Sequence, residues 1–283
     1  MKILMHNNEI KITGISDFDL TKTFECGQSF RWNVYDGIIS SQNEITYIGV
    51  THGRVAKLRQ CENSVSISCS VEDFESIWRG YFDLDRDYTA IRQHLCIDDY
   101  MHQATEFGRG IRLLRQDKWE ALCSFIISQN NNIPRIKAII DTLCLNFGDS
   151  ISFEDKEYHT FPSAAKLAGL DTKDLAPLRC GYRAEYIIRA AKAVENNELN
   201  LEKLANSTPG KARTALKKLH GVGDKVADCV MLFGLHMLDA FPLDVWMKRA
   251  VANHYGPDFD PKIFSPYSGI AQQYIFHYIR NRK

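Results

Sequence analysis

The sequence predicts an α+β protein: an N-terminal antiparallel β-sheet domain with helices, followed by an all-helical domain. As far as Cys69, short segments of alternating hydrophobicity are separated by Gly, Asn and Asp, which is typical of antiparallel strands. From Ile111 onward, apolar residues recur at helical spacing almost throughout. The charge changes at the same place, because residues 1–110 carry 11 basic and 16 acidic side chains and the rest carries 24 and 19. We therefore expect a β domain at 1–110 and a helical domain at 111–283.

The N-terminal domain is expected to contain six strands and two helices. The strand segments are residues 9–12, 29–34, 37–40, 45–50, 55–58 and 64–69, and the helical segments are residues 71–80 and 88–107. Asp83, Asp85 and Asp87 lie between the two helices and are expected to form a solvated linker. Calcium binding is not expected there, since the loop glycine and terminal glutamate of an EF-hand are missing. In the C-terminal domain, loops are expected at residues 148–163 and 257–266.

The composition is that of an ordinary globular protein, with 45% hydrophobic and 25% charged residues in a chain of 283. A formal net charge of zero argues against indiscriminate nucleic-acid binding. It does not decide whether the surface has local basic patches. The eight cysteines form no CxxC pair, so neither a zinc site nor a disulfide framework is indicated. The scattered cysteines are typical of reduced, intracellular thiols. The N-terminus has no apolar signal core, and no apolar run approaches membrane-spanning length.

One segment near residue 220 organises the C-terminal half. Residues 219–223 read LHGVG between two helical patterns, and Gly221 and Gly223 allow a tight turn that presents bare amides to an anion. Asp224 is expected to cap the helix that follows. The buried face of that helix is expected to hold Val226, Val230, Phe233 and Met237. The turn is therefore a candidate phosphate-binding site.

Lys225 and Asp244 are the candidate chemical groups. Lys225 falls in the first turn of the helix, where the partial positive charge of a helix N-terminus disfavours another cation and favours a neutral, nucleophilic amine. Asp244 precedes a helical run over residues 245–255 and is expected to be its N-cap. Each residue also has a purely structural interpretation. Lys225 could be an exposed lysine that tolerates a small electrostatic penalty, and Asp244 could be a helix cap and nothing more. Brought into one cleft, they would suit attack on an electron-poor carbon beside a departing base.

Three further segments contain polar or aromatic side chains that could contact a base, and each also has a purely structural interpretation. Residues 129–135 read QNNNIPR, which is either a functional polar break after the helix at 119–128 or only a capped turn. Tyr182 stands beside Arg183 ahead of a helix, as a wedge into stacked bases or as a surface tyrosine. Gln272 and Phe276 are four residues apart on the last helix, at 269–280. They could read a base edge and stack on its plane, or both could belong to the core.

Five motifs in order resemble the helix-hairpin-helix DNA glycosylases, specifically the 8-oxoguanine glycosylase/lyase branch. LHGVGDKVADC followed by PLDV resembles the hairpin with its catalytic lysine and aspartate. GQSFRW at 27–32, the asparagine run, GYRA at 181–184 and AQ...F in the last helix resemble the family's other motifs. The superfamily's iron-sulfur relatives are excluded, because no cysteine follows Cys229. Trp246 departs from the histidine of eukaryotic members, which puts a phosphate contact from that position in doubt.

The resemblance implies roles for the reacting groups and the base pocket. Lys225 would attack C1′ of the lesion nucleotide, and Asp244 would stabilise positive charge on the sugar. Gly27 would accept a hydrogen bond from the N7 hydrogen that oxidised guanine has and guanine lacks. Gln272 and Phe276 would bind the base. Cys229 lies one helical turn from the lysine and is expected to form a dipole with its amine.

The resemblance also implies contacts with the other strand. Asn130 would fill the gap that the lesion leaves, and Tyr182 would wedge the stack. Arg135 and Arg183 would read the opposite base. Two guanidinium groups suit the acceptors of cytosine and not the amino group of adenine.

The function expected from the sequence is excision of 8-oxoguanine opposite cytosine, followed by β-elimination through a lysine Schiff base. The expected partner is double-stranded DNA containing 8-oxoguanine, bound by a monomer with no membrane contact. No metal or organic cofactor is expected, and it stays open whether hairpin carbonyls hold a structural monovalent cation. The expected location is the cytoplasm, at the nucleoid in a bacterium, or the nucleus in a eukaryote. The alternatives are a monofunctional alkylpurine glycosylase, which lacks the lysine, and a non-catalytic hairpin module.

Overall fold

The computed structural model describes residues 2–6, 8–35 and 44–282, and it confirms the predicted fold class. An N-terminal antiparallel sheet with helices is followed by a helical region. The strand expected at residues 37–40 lies outside the described residues. The division between residues 110 and 111 stays a prediction.

The six-stranded sheet has every neighbouring pair antiparallel, in the order β1-β2-β6-β5-β4-β3. Its strands are β1 Lys2–His6, β2 Glu9–Thr13, β3 Trp32–Val34, β4 Glu44–Thr51, β5 Arg54–Cys61 and β6 Ser64–Ser68. The sequence did not predict β1. Its polar and apolar residues do not alternate cleanly, and it is held by pairing with β2 at the edge of the sheet.

Helices cover most of the chain after β6. The α-helices are α1 Leu20–Glu25, α2 Val71–Asp73, α3 Arg79–Tyr81, α4 Tyr88–Leu95, α5 Asp99–Phe107, α6 Lys118–Ile127, α7 Ile133–Phe147, α8 Ala164–Ala168, α9 Arg183–Glu195, α10 Leu201–Ala205, α11 Pro209–Leu216, α12 Asp224–Cys229, α13 Val245–His254 and α14 Ser268–Asn281. Phe74–Trp78 and Val230–Gly234 are π-helical continuations, and Ala176–Leu178 and Pro261–Phe264 are short 3₁₀ turns.

Besides β1, and besides the strand expected at 29–34, which begins only at Trp32, two elements differ from the sequence-based assignment. The single helix expected over residues 88–107 is broken, because the Asp98 side chain accepts a hydrogen bond from the Met101 amide (2.7 Å) and starts α5 as an N-cap. The loop expected at 148–163 contains a two-stranded hairpin, β7 Ser150–Phe153 and β8 Lys156–His159. The hairpin is short and half-exposed, so its hydrophobic pattern is weak.

The linker with three aspartates is not solvated throughout, which corrects that expectation. Asp85 and Asp87 are exposed, whereas Asp83 is only 4% exposed. The Asp83 carboxylate accepts hydrogen bonds from Arg86 Nε (2.6 Å) and Tyr88 Oη (3.1 Å). A buried carboxylate needs such partners, and the sequence pattern alone could not supply them.

Two large clusters of buried side chains form the core. One packs the sheet against the first helices, and the other fills the helical region. The helical cluster also contains Cys26 and Phe30, which follow α1. The segment between them, which contains Gly27, is thereby anchored beside the C-terminal helices, where a cleft opens.

Candidate active site

The hairpin turn joins α11 to α12, and the conformation of Gly221 depends on having no side chain. Gly221 has a φ of +83°, and a Cβ there would overlap the ring of Tyr186. Gly223 is the N-cap residue of α12 and is exposed. The prediction that Asp224 caps this helix is wrong: its carboxylate instead accepts a hydrogen bond from Lys217 Nζ (2.6 Å).

The buried face predicted for this helix is correct for three of its four residues. Val226, Val230 and Phe233 are each at most 3% exposed. Met237 lies beyond the end of the helix, because the π-helical segment stops at Gly234. The face packs the hairpin helix into the core and turns Lys225 toward the cleft.

Lys225 extends from the first turn of α12 into a cleft of about 820 Å³. Its Nζ donates a hydrogen bond to Ser128 Oγ (3.1 Å) at the end of α6. The same ammonium lies 5.6 Å from the centroid of the Phe125 ring, within the range of a cation–π contact. The amine thus contacts a hydroxyl and an aromatic face, and it also interacts with the Cys229 thiol.

Asp244 lines the same cleft and is the N-cap of α13, as predicted. Its carboxylate accepts a hydrogen bond from the Met247 amide (2.8 Å). No donor among residues 2–6, 8–35 and 44–282 is bonded to the second carboxylate oxygen, which can therefore act in the cleft. The structure therefore brings the predicted amine and carboxylate into one cavity, although they are nineteen positions apart.

Gly27 and Phe276 form another wall of the cleft. Gly27 has a φ of +87°, and a Cβ there would stand 3.1 Å from Cε1 of Phe276. Both the backbone conformation and this close approach favour glycine. We call this part of the cleft, with Lys225 and Asp244, the lysine end.

Gln272 and Cys229 lie behind the surface of the lysine end. Gln272 is 5% exposed, and its Oε1 has no hydrogen-bond partner among the described residues. Cys229 is 3% exposed, and burial raises the pKa of its thiol to about 11, with Lys225 opposing the shift. Burial therefore favours the neutral thiol over the thiolate, while the neighbouring Lys225 favours the thiolate.

A second group of predicted residues lies beside the cleft, around the turn after α6. Asn130 lines the cleft with a φ of +46°, and its Nδ2 donates to Tyr182 Oη (3.3 Å). Tyr182 is 46% exposed. Arg135 is exposed, and its Nη2 donates to the carbonyl of Arg179 (3.2 Å). With Arg183, we call this group the asparagine end.

Arg183 is far more enclosed than a surface base reader would be, at 6% exposed. Its Nε donates to the Gln129 carbonyl (2.9 Å), and Nη1 donates to the Cys180 carbonyl (3.1 Å). Nη2 donates to the carbonyls of Gln129 and Asn130. Four of the five guanidinium hydrogens are thus engaged within the protein, and the side chain holds the asparagine turn.

Sequence reasoning missed two side chains that complete the cleft, Ser128 and Phe125, which contact the lysine. Trp246, which the sequence marked only as a departure from the family histidine, also lines the cleft. Ser128 and Phe125 lie three residues apart at the end of α6, a helical spacing that puts them on one face. Their relation to Lys225 depends on how α6 and α12 pack, which no local pattern encodes.

Within residues 2–6, 8–35 and 44–282, no helix is long and apolar enough to cross a bilayer. In the same residues, no group of three or more His, Cys, Asp or Glu side chains could hold a metal ion.

A hairpin turn, a lysine and an aspartate that share a cleft define the class of helix-hairpin-helix DNA glycosylases. Family models agree: residues 11–122 match the N-terminal domain of 8-oxoguanine DNA glycosylase, and residues 123–263 match the HhH-GPD superfamily of base excision DNA repair proteins. The N-glycosylase/DNA lyase of Saccharomyces cerevisiae is 34% identical over 260 residues, which cover 85% of this chain and 69% of the yeast protein.

Solved structures agree along almost the whole chain. The 8-oxoguanine glycosylase/lyase of Clostridium acetobutylicum, in complex with DNA containing cytosine opposite 8-oxoguanine, is 36% identical with a TM-score of 0.91. The alignment covers 99% of this chain and 98% of that one. A structure of MBOgg1 with a low-affinity DNA ligand is 42% identical, with a TM-score of 0.92 and the same coverage.

The chain belongs to the 8-oxoguanine N-glycosylase/DNA lyase family of the helix-hairpin-helix superfamily. This confirms the predicted family and the predicted enzyme class, a DNA N-glycosylase with abasic-site lyase activity.

Proposed function

We propose that this enzyme excises 8-oxoguanine from duplex DNA, preferentially opposite cytosine, and then cleaves the strand through a lysine Schiff base. The observation that carries the proposal is the shared cleft, with the Lys225 amine and the Asp244 carboxylate beside the wall of Gly27 and Phe276. Duplex DNA would have to extrude the damaged nucleotide to reach these groups, at a cost of about a few kcal/mol.

The proposed reaction begins with the neutral amine of Lys225. Its lone pair attacks C1′ while the bond from C1′ to the base nitrogen breaks, and the base leaves with that electron pair and takes up a proton. Asp244 offers a fixed negative charge to the cationic sugar of the transition state. The sugar ring then opens to a Schiff base, a C2′ proton is lost, and the 3′ phosphate departs. Water finally releases the lysine.

The proposed base pocket is the lysine end of the cleft. The Phe276 ring would stack on the base, and the buried amide of Gln272 would take an edge contact for its unpartnered Oε1. The Gly27 carbonyl would accept from the N7 hydrogen of the lesion. The Cys229 thiol would act beside Lys225.

The asparagine end is proposed to hold the opposite strand. Asn130 would occupy the gap and Tyr182 would wedge the stack, and these two side chains are already hydrogen-bonded to each other. Arg135 and Arg183 would both donate hydrogen bonds to cytosine, and the exposed guanidinium of Arg135 is the more accessible of the two. Arg183 would have one donor hydrogen left for the base unless it exchanges a carbonyl partner. Gly221 and Gly223 would place the hairpin amides on a phosphate.

Borohydride trapping tests the nucleophile directly. With a duplex containing 8-oxoguanine opposite cytosine, the unsubstituted enzyme should form a covalent adduct, and Lys225→Gln should bind the duplex without forming one. Lys248→Gln is the matched control, because it removes another amine that lines the same cleft; that protein should still be trapped. An adduct with Lys225→Gln, or its loss only in Lys248→Gln, would overturn the assignment.

A further inference from the structure

The hydroxyl of Ser128 contacts the Lys225 amine, and its own hydrogen is already engaged elsewhere. It donates to the carbonyl of Phe125 (2.8 Å), three residues earlier in the chain. A carbonyl oxygen can only accept, and a serine has a single hydroxyl hydrogen. Toward Lys225 Nζ, 3.1 Å away, the Ser128 oxygen is therefore an acceptor. It binds an N–H of the lysine and leaves the lone pair of a neutral amine free.

The Ser128 side chain stands on a well-anchored part of the cleft wall. The residue is the C-cap of α6, and its amide donates to the carbonyl of Ser124 (2.9 Å). Every residue of α6 from Glu120 to Ile127 is at most 8% exposed. Because close-packed interiors resist displacement, the hydroxyl is a fixed point on a helix other than the one that carries the lysine.

Lys225 is restrained less firmly by its other neighbours. Its ammonium ends a flexible four-carbon stem, which can place Nζ in many positions. The contact with the Phe125 ring, 5.6 Å from Nζ to the centroid, has little directionality. Cys229 belongs to α12, as Lys225 does, so its sulfur does not tie the amine to another helix. Within the described part of the chain, the directional bond between Nζ and α6 is the one to Ser128, 97 positions away.

We propose that Ser128 is a positioning residue for the nucleophile, whose hydroxyl fixes Lys225 Nζ against α6 while the lone pair stays free for C1′. This inference rests on the proposed function in one respect, that Lys225 is the nucleophile. Attack requires the reacting atoms at about 3–3.5 Å with aligned orbitals, and a misplacement of about 1 Å can cost about 10²-fold in rate. Ser128 would act through the lysine rather than on the substrate.

Single-turnover kinetics test this role, because they separate binding of the duplex from the chemical step. Ser128→Ala removes the acceptor. We expect its excision rate at saturating enzyme, on 8-oxoguanine opposite cytosine, to fall by about 10–100-fold, with the Kd of the duplex within about twofold. Ser128→Thr keeps a hydroxyl and should restore most of the rate. An unchanged rate in Ser128→Ala, a loss explained wholly by Kd, or a Ser128→Thr enzyme as slow as Ser128→Ala would overturn the inference.

Ser207→Ala is the matched control. Ser207 follows α10, and its hydroxyl donates to the carbonyl three residues earlier, that of Leu204 (2.8 Å), as Ser128 does at the end of α6. Ser207 does not line the cleft. Both alanine variants lose a bond of this kind, so their unfolding midpoints should shift alike, whereas Ser207→Ala should excise at the unsubstituted rate. A comparable loss of rate in Ser207→Ala would contradict a role that depends on contact with the lysine.

A duplex with a preformed abasic site separates this inference from the proposed function. Its aldehyde reacts with the same Nζ although there is no base to excise, so borohydride trapping of Ser128→Ala should be slower here too, by about tenfold or more. Equal trapping rates of Ser128→Ala and the unsubstituted enzyme would refute the positioning role alone. Absence of an adduct in the unsubstituted enzyme, on this duplex and on the one with 8-oxoguanine, would refute the proposed function itself.

Discussion

The lysine end and the asparagine end of the cleft differ in how their polar groups are engaged within the protein. At the lysine end, Lys225 donates to the Ser128 hydroxyl and interacts with the Cys229 thiol, and Gln272 Oε1 has no partner among the described residues. At the asparagine end, Asn130 is bonded to Tyr182, and Arg183 donates to the carbonyls of three residues. One end is open to a ligand, whereas the other is occupied by contacts within the protein.

This difference suits the two ends of the cleft to different functions, catalysis at the lysine end and base recognition at the asparagine end. Groups that act on a transition state are most effective when they are already in place, because no reorganisation is then needed. Groups that read a base can exchange one set of hydrogen bonds for another, at little net free energy. We infer that the lysine end is preorganised and that the asparagine end rearranges when it binds DNA.

Asp244→Asn should show the largest effect if the lysine end works through a fixed charge. The neutral amide loses the electrostatic stabilisation, and the single-turnover excision rate should fall by about 10²–10³-fold. Asparagine caps helices about as well as aspartate, so the unfolding midpoint should hardly move. Asp244→Ala is the comparison, because it also loses the bond to the Met247 amide and should cost about 1 kcal/mol of stability. An active Asp244→Asn enzyme would contradict the charge role.

Gln272→Leu should lower excision by about tenfold or more, through loss of one base-edge contact. Its stability should be unchanged or higher, because the replaced Oε1 is buried without a partner. Gln273→Leu is the control on the same helix. Gln273 Nε2 donates to the Cys26 carbonyl (3.0 Å), so its loss should cost about 1–3 kcal/mol in urea unfolding. Equal destabilisation of the two variants, with normal excision in Gln272→Leu, would remove Gln272 from the pocket.

The same contrast explains what the sequence could predict. Lys225, Asp244 and Phe276 lie in strong local patterns, a hairpin, a cap and a helix face, and the structure brings all three into one cleft. The N-cap of α13 was predicted because capping depends on neighbours within three residues. At Asp224 the same rule failed, since Lys217 attracts the carboxylate away from the helix end.

Long-range partners account for the other differences. Asp83 was expected in solvent, but its carboxylate is bonded not only by the neighbouring Arg86 and Tyr88 but also by Arg115 from a distant part of the chain, with Nη2 at 3.2 Å. Arg183 was expected to face a base, whereas carbonyls more than fifty residues away enclose its guanidinium. Ser128 was not recognised as the lysine's partner for the same reason. Such contacts follow from helix packing and leave no spacing signal in the sequence.

Arg183→Met tests whether the asparagine end is held by internal bonds. Removing the guanidinium leaves the Gln129, Asn130 and Cys180 carbonyls without this donor, and stability should fall by about 1–3 kcal/mol. Arg189→Met is the matched control on α9. Arg189 pairs only with Glu185 among the described residues, its side chain is 55% exposed, and the change should stay within about 0.5 kcal/mol. Equal unfolding midpoints for the two variants would show that the internal bonds contribute nothing.

Arg135→Met should have the smallest effect on the protein and the most selective effect on function. The Arg135 side chain is exposed, and its backbone amide is capped by Asn132 Oδ1 (3.0 Å), so α7 should begin normally. The guanidinium has to give up only the Arg179 carbonyl to reach a base.

Cytosine offers the Arg135 guanidinium acceptors, whereas the amino group of adenine faces a residue that can only donate. Losing this reader should lower the ratio of excision opposite cytosine to excision opposite adenine by about tenfold, within the 1–3 kcal/mol of a bidentate contact. Trapping by Lys225 should persist. Single-turnover rates against the four opposite bases measure the ratio, and an unsubstituted enzyme indifferent to the opposite base would refute the proposed role of this end.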